Sequence, residues 1–178
     1  MINKAIMFAT ISHGTQYRKA TNIPYILHPL EAGIIVSQIK YDENLICAAI
    51  LHDTTEDAHV SYETIAVMFG KRIADLVKSQ SEDKTKSWSE RKNHTIDSLR
   101  EEKDEDIKIV CLGDKLSNIR SLYRDYEIDK EKLWQRFNVK DKNMHGWYYK
   151  ALVESLSSLD EYKEYMEFKE LVFKVFYE

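Results

Sequence analysis

Helix breakers are almost missing from this chain. Among 178 residues there are five glycines and two prolines, and both prolines, Pro24 and Pro29, fall in one short stretch. Sheets need turn residues at every reversal, whereas long helices with short connections need few. The apolar positions agree. They recur at helical spacing nearly throughout, and no pair of alternating strands stands out. The expected fold class is all-α, and the length fits one helical domain over residues 1–178 with a real core.

The elements can be placed in order. Residues 2–13 put Ile2, Ala5, Ile6 and Ala9 on one side of a helix, and residues 14–27 read as a polar loop with a basic tip. Pro29 suits a first helical turn, followed by Ile34, Ile35 and Ile39. Residues 43–53 form the next helix, Ser61 is an N-cap for 62–69, and Gly70 is its stop. Ile73, Leu76 and Val77 mark a short helix, 79–87 a polar loop, and Ser87 with Glu90 a capping box. A strongly apolar helix follows over 104–124, its start favoured by the acidic run from Glu101 to Asp106, then amphipathic helices over 141–159 and 161–176. The aromatics of the last two recur at helical spacing and predict core or a homodimer face rather than a ligand stack.

Composition excludes some functions. The net charge of −4 disfavours extended nucleic-acid binding but leaves room for a small anionic ligand at a local cationic cluster. Cys47 and Cys111 lie in apolar stretches and are expected to be buried free thiols. No secretory signal is read at the N-terminus and no run approaches a membrane span, so a cytoplasmic protein is expected.

The chemistry concentrates at His52-Asp53-Thr54-Thr55-Glu56-Asp57, which follows the apolar run Leu45, Ile46, Ala48, Ala49, Ile50, Leu51. At about 100° per residue, one continuous helix would hold His52, Asp53, Glu56 and Asp57 within an arc of about 140°. Three carboxylates and an imidazole at the end of a buried helix call for a neutralising cation. His28, at the mouth of a helix, and Asp114, inside an apolar one, are candidates to complete a metal shell. Packing alone would also account for His28, and Lys115 or a distant arginine could pair with Asp114. Two imidazoles and two carboxylates suit Mn²⁺, Fe²⁺ or Zn²⁺. His59, His94 and His145 have no partner spacing and read as surface or core residues.

The order His28, His52-Asp53, Asp114 resembles the H…HD…D pattern of the HD-domain phosphohydrolases. The likeness is closer to the hydrolase domain of the RelA/SpoT proteins and the stand-alone small alarmone hydrolases. It runs through His13-Gly14-Thr15-Gln16-Tyr17-Arg18-Lys19, Pro24-Tyr25-Ile26-Leu27-His28-Pro29, Ala48 to Asp57, Phe69-Gly70 and Gly113-Asp114-Lys115-Leu116-Ser117-Asn118, with Ser81 to Lys84 and Arg91-Lys92 as further matches. The resemblance implies an all-helical domain with one divalent metal, usually Mn²⁺, held by His28, His52, Asp53 and Asp114. It also implies removal of the 3′-pyrophosphate of ppGpp or pppGpp. By the same match Glu56 and Asp57 orient or deprotonate the water, Arg18 and Lys19 lie beside the guanine, and Asn118 lies near the ribose.

Two positions depart from the pattern: Gly113, where alanine is usual, and Ala58, where threonine is common. No synthetase domain follows, so hydrolysis without synthesis is expected. Two other functions fit the same residues. One is an HD-domain phosphatase of another nucleotide or dinucleotide, such as NADPH or a deoxynucleotide. The other is a nucleotide-sensing module without turnover, which would not need Glu56 and Asp57.

Overall fold

Every residue from Leu45 to Leu51 is buried, so the helix they form sits at the centre of the molecule. The structure is a computed structural model that describes residues 1–177. In chain order its helices are α1 (Ile2–His13), α2 (Leu27–Ile39), α3 (Glu43–Leu51), α4 (Thr54–Asp57), α5 (Tyr62–Phe69), α6 (Lys71–Ser79), α7 (Trp88–Glu101), α8 (Glu105–Asp129), α9 (Lys142–Ser155) and α10 (Lys163–Phe176). Two 3₁₀ helices, Lys130–Arg136 and Ser157–Leu159, link the last three. The fold is all-α; among the described residues the only β pairing is an isolated bridge between Tyr17 and Pro24 in the loop after α1.

Central α3 packs against α1, α2, α6 and α8, while α8 runs as a spine touching α2, α3 and α10. Side-chain caps fix several helix starts. Asp42 accepts from Asn44 N and Leu45 N ahead of α3, Ser61 caps α5, and Asp104 caps α8. The capping box of Ser87 and Glu90 is present in both directions. Gly70 ends α5 at φ +95°, a conformation that side chains disfavour.

Some boundaries differ from the sequence expectation. Helix α8 runs to Asp129 rather than 124, because Tyr126 continues its buried stripe against Trp134 while the charges at Arg124 and Asp125 face outward or half-outward. The 3₁₀ helix over Lys130–Arg136 escaped the sequence reading, although Leu133 and Trp134 are fully or almost fully buried. Of the aromatics beyond residue 141, Tyr148, Tyr165, Phe168 and Phe176 are buried, Tyr149 and Tyr162 are partly buried against the core, and Trp147, Phe173 and Tyr177 are exposed. Cys47 and Cys111 are buried and free, with burial pushing their thiols up to about 11 and about 12. No helix among the described residues is long and apolar enough to cross a membrane.

Candidate active site

Three elements converge on one point: the first turn of α2 with His28, the turn after α3 with His52 and Asp53, and the middle of α8 with Asp114. Close approach of α8 to α2 is possible because residue 113 is glycine. A Cβ there would stand 2.7 Å from Val36 Cγ2 and 3.0 Å from the carbonyl oxygen of Ala32. His28 Nε2 then lies 3.2 Å from Asp114 Oδ1 and 3.5 Å from Asp53 Oδ2. His52 Nε2 lies 2.9 Å from Asp53 Oδ2 and 3.5 Å from Asp114 Oδ1. His28, His52 and Asp114 each offer one ligand atom, all within 4.8 Å of one another.

The hydrogen bonds behind the two histidines decide which nitrogen faces the centre. His52 Nδ1 lies 2.7 Å from the carbonyl of Ala49, which can only accept. His28 Nδ1 lies 2.8 Å from Ser117 Oγ, and that hydroxyl donates to Glu31 Oε2 at 2.9 Å, so it accepts from His28. As neutral rings, both therefore present Nε2 lone pairs to the carboxylates. His52 Nε2 is buried and, despite its nearness to Asp53, has no aligned hydrogen-bond partner. Lone pairs and carboxylates meeting in a buried place require positive charge at their centre. Burial alone would lower the His52 pKa, but Asp53 and Asp114 outweigh it and hold the ring well above its ordinary range. Both aspartates are held well below theirs: burial is outweighed for Asp53 by His52 and His28, and for Asp114 by Lys115 and the same histidines. The donor set, the fixed tautomers and the orphaned nitrogen fit a divalent metal.

Asp114 meets both of its sequence alternatives. Its Oδ2 is 2.5 Å from Lys115 Nζ, while Oδ1 faces the histidines and accepts from Asn118 Nδ2 at 2.6 Å.

The carboxylates that follow are arranged differently from expectation. A single helix through residues 43–53 and on to Asp57 is not formed: α3 ends at Leu51, and the four-residue α4 restarts after Asp53, at φ −92°, ψ −3°. Thr54 Oγ1 donates back to the carbonyl of Leu51 at the break. Asp57 stays with the cluster, because Tyr25 joins it there; the Tyr25 hydroxyl lies 2.6 Å from Asp53 Oδ2 and 3.1 Å from Asp57 Oδ2. Glu56 instead bonds the loop between α6 and α7, where its Oε1 accepts from Glu82 N. Burial, reinforced by Asp53, raises the Glu56 pKa despite the Glu82 N–H and Lys84.

A cavity of about 220 Å³ opens beside the cluster. Arg18, Lys19 and Asn118 line it together with Tyr25, Phe137, His145 and Tyr149. Arg18 Nη2 donates to Asn118 Oδ1 at 2.8 Å, so Arg18, Asn118 and Asp114 form a hydrogen-bonded chain from the cavity to the cluster. The Arg18 guanidinium also sits 5.8 Å from the Tyr25 ring centre. Lys19 is exposed and donates to Asn138 Oδ1 at 2.8 Å. Eight of the nine predicted site residues thus lie in the cluster, beside it at Tyr25, or in this cavity, while Glu56 turns to the loop between α6 and α7.

Sequence reasoning gave no role to Tyr25, Phe137, His145 or Tyr149. The place of Tyr25 in the stretch ending at His28 was a usable signal. His145 packs as expected of a core residue, stacked on Trp134 with Nε2 on the carbonyl of Val139, yet also forms cavity wall. His59 and His94 are exposed.

Fold and cluster define an HD-type protein, and comparison with known proteins agrees. The HD domain family model matches residues 5–138, and the chain belongs to that family. A guanosine-3′,5′-bis(diphosphate) 3′-pyrophosphohydrolase of Aquifex aeolicus (strain VF5) is 37% identical over 134 residues, 74% of this chain and 19% of the relative. The chain thus spans about a fifth of that relative's length. Among solved structures, a metazoan ortholog of SpoT that hydrolyses ppGpp superposes with a TM-score of 0.81 at 24% identity, covering 97% of this chain and 93% of the other. A Listeria monocytogenes EGD-e crystal structure gives a TM-score of 0.75 at 30% identity, covering 85% and 99%.

Proposed function

We propose that this chain is a metal-dependent hydrolase that removes the 3′-pyrophosphate of ppGpp and pppGpp in the cytoplasm. One observation carries the reading: the hydrogen-bonded chain Asp114–Asn118–Arg18 joins a cation-demanding cluster to an aromatic cavity with two basic side chains. That arrangement suits a ligand with a base at one end and phosphate at the other. The activity printed for the Aquifex relative supports the same substrate class.

In this reading His28, His52, Asp53 and Asp114 hold one divalent metal, Mn²⁺ by preference, with Fe²⁺ or Zn²⁺ compatible with the same donors. When bound, such an ion screens phosphate charge and supplies a water acidified toward neutral pH. Asp57 and Glu56 would orient the attacking water and accept its proton, a task that a raised pKa suits in Glu56. Tyr25 ties Asp53 to Asp57, so ligand and acid keep one geometry. Arg18 stacks on the purine and donates from its fork, Lys19 adds charge beside it, and Asn118 bonds the ribose. One domain, residues 1–178, carries all of this.

The test is a nucleotide panel with the Mn²⁺-loaded protein and identification of products. ppGpp should give GDP and pyrophosphate. Turnover of NADPH or a deoxynucleotide with ppGpp untouched would overturn the substrate assignment, and binding of ppGpp without turnover of anything would overturn the enzyme.

A further inference from the structure

Helix α4, which carries Glu56 and Asp57, is one turn long. A single turn fixes little by itself, so its orientation has to come from outside. Tyr25 and Gln16 hold Asp57 from one side; from the other, the loop between α6 and α7 is tied to each of three consecutive residues. Thr55 Oγ1 lies 2.9 Å from Ser81 Oγ. Glu56 Oε1 accepts from the main-chain N–H of Glu82 at 2.5 Å. Asp57 Oδ1 accepts from Lys84 Nζ at 2.7 Å, and the same ammonium donates to the Glu56 carbonyl at 2.9 Å.

The loop is itself anchored through Glu82. Its carboxylate accepts from Arg91 Nη1 at 3.0 Å, Lys92 Nζ at 2.7 Å and Thr95 Oγ1 at 3.2 Å, all on α7, and is 12% exposed. Side chain and main chain of Glu82 therefore do two jobs. The side chain grips α7, and the N–H aims at Glu56. Lys84 is half-exposed and, among the described residues, its hydrogen bonds and ion pairs go to Glu56 and Asp57 on α4.

We propose that the Ser81–Lys84 loop is the positioning element of the hydrolytic step, with Glu82 directing Glu56 through its main-chain N–H and Lys84 directing Asp57. This rests on the reading that Glu56 and Asp57 serve the attacking water. Among the described residues no hydrogen bond or ion pair joins Glu82 or Lys84 to the four residues of the cluster, so metal content should be kept when either is changed.

The experiment is steady-state hydrolysis of ppGpp by the Mn²⁺-loaded full chain, with metal content measured in parallel. Misplacement by about 1 Å can cost about 10²-fold, so Glu82→Ala and Lys84→Met should each lower kcat by about 10- to 100-fold, with KM and metal content unchanged. Lys84→Arg should restore most of the rate, and Lys86→Ala, exposed on the same loop, should match the wild type. Should Glu82→Ala fail to fold, Lys84→Met and Glu82→Gln carry the test. Wild-type kcat in Glu82→Ala and Lys84→Met, beside a slow Glu56→Gln, would overturn the positioning role alone. A raised KM with unchanged kcat in Lys84→Met would make Lys84 a substrate contact and also overturn it. A fast Glu56→Gln would instead sink the reading beneath it.

Discussion

Gly113 lies against Val36 so closely that a single added methyl would stand 2.7 Å from Val36 Cγ2. The contact brings α8 onto α2 and so sets Asp114 beside His28. Gly113→Ala gains about 1 kcal/mol of helix propensity but meets an overpacking cost of about 1–3 kcal/mol. The expected outcome is a net loss of stability in urea unfolding. In a Val36→Ala background the same change should be better tolerated, and a double-mutant cycle should show positive coupling. A single variant stabilised by the full propensity gain of about 1 kcal/mol would rule out the close contact.

One divalent metal per chain should be retained by the wild type and largely lost in His52→Ala and in Asp114→Ala, by direct metal analysis. Ser117→Ala, which removes the acceptor behind His28, should weaken metal affinity by about 10- to 100-fold, the usual range for such supporting bonds. Full retention in His52→Ala or Asp114→Ala would reject the four-residue shell.

The order of His28, His52-Asp53 and Asp114 was visible in the sequence through the family resemblance, and only Asp114 also stands out as a charge inside an apolar helix. Caps at Ser61 and Ser87 and the stop at Gly70 were legible because each is local. The break after Leu51 was not, since residues 52–57 suit a helix and only tertiary contacts at Tyr25 and the α6–α7 loop fix the restart. The cavity wall was not legible either. Tyr149 and His145 serve core and cavity at once, so their periodicity reports only burial, and Phe137 reaches the site from the bend just after the 3₁₀ helix, where no periodic pattern marks it.

Arg18→Ala should raise KM for ppGpp and leave metal content unchanged. Asn118 would lose one partner but keep its bond to Asp114, so the cluster should survive. Steady-state kinetics would return Arg18 to an ordinary loop residue if neither KM nor kcat moved.

Acid should weaken the grip of α7 on Glu82. Burial raises the pKa of this carboxylate, but Lys92, Lys115 and Arg91 outweigh burial and bring it below the ordinary 4.5. A folded-state value below the unfolded one means stability that is present above pH 4.5 and lost as pH falls through the folded value. Wild type should therefore exceed Glu82→Gln in unfolding free energy near neutrality, and the gap should close in acid. A gap independent of pH would show that the ionised form contributes nothing.

Catalysis and sensing part at Glu56 and Asp57. Neither is needed to complete the four-residue shell, yet each is held in place: Glu56 by the Glu82 N–H, Asp57 by Tyr25 and Lys84. Glu56→Gln and Asp57→Asn are near-isosteric, so packing and metal content should be kept and ppGpp should still bind. Assistance by a positioned base is worth about 10²–10⁴-fold, and kcat should fall within that range. Asp57→Asn carries a second effect, since its amide can no longer accept from both Tyr25 and Lys84, so it should be the less stable of the two in thermal unfolding. If ppGpp binds equally to the wild type and both variants and none of the three turns over any nucleotide, the site is a sensor and the carboxylates are structural.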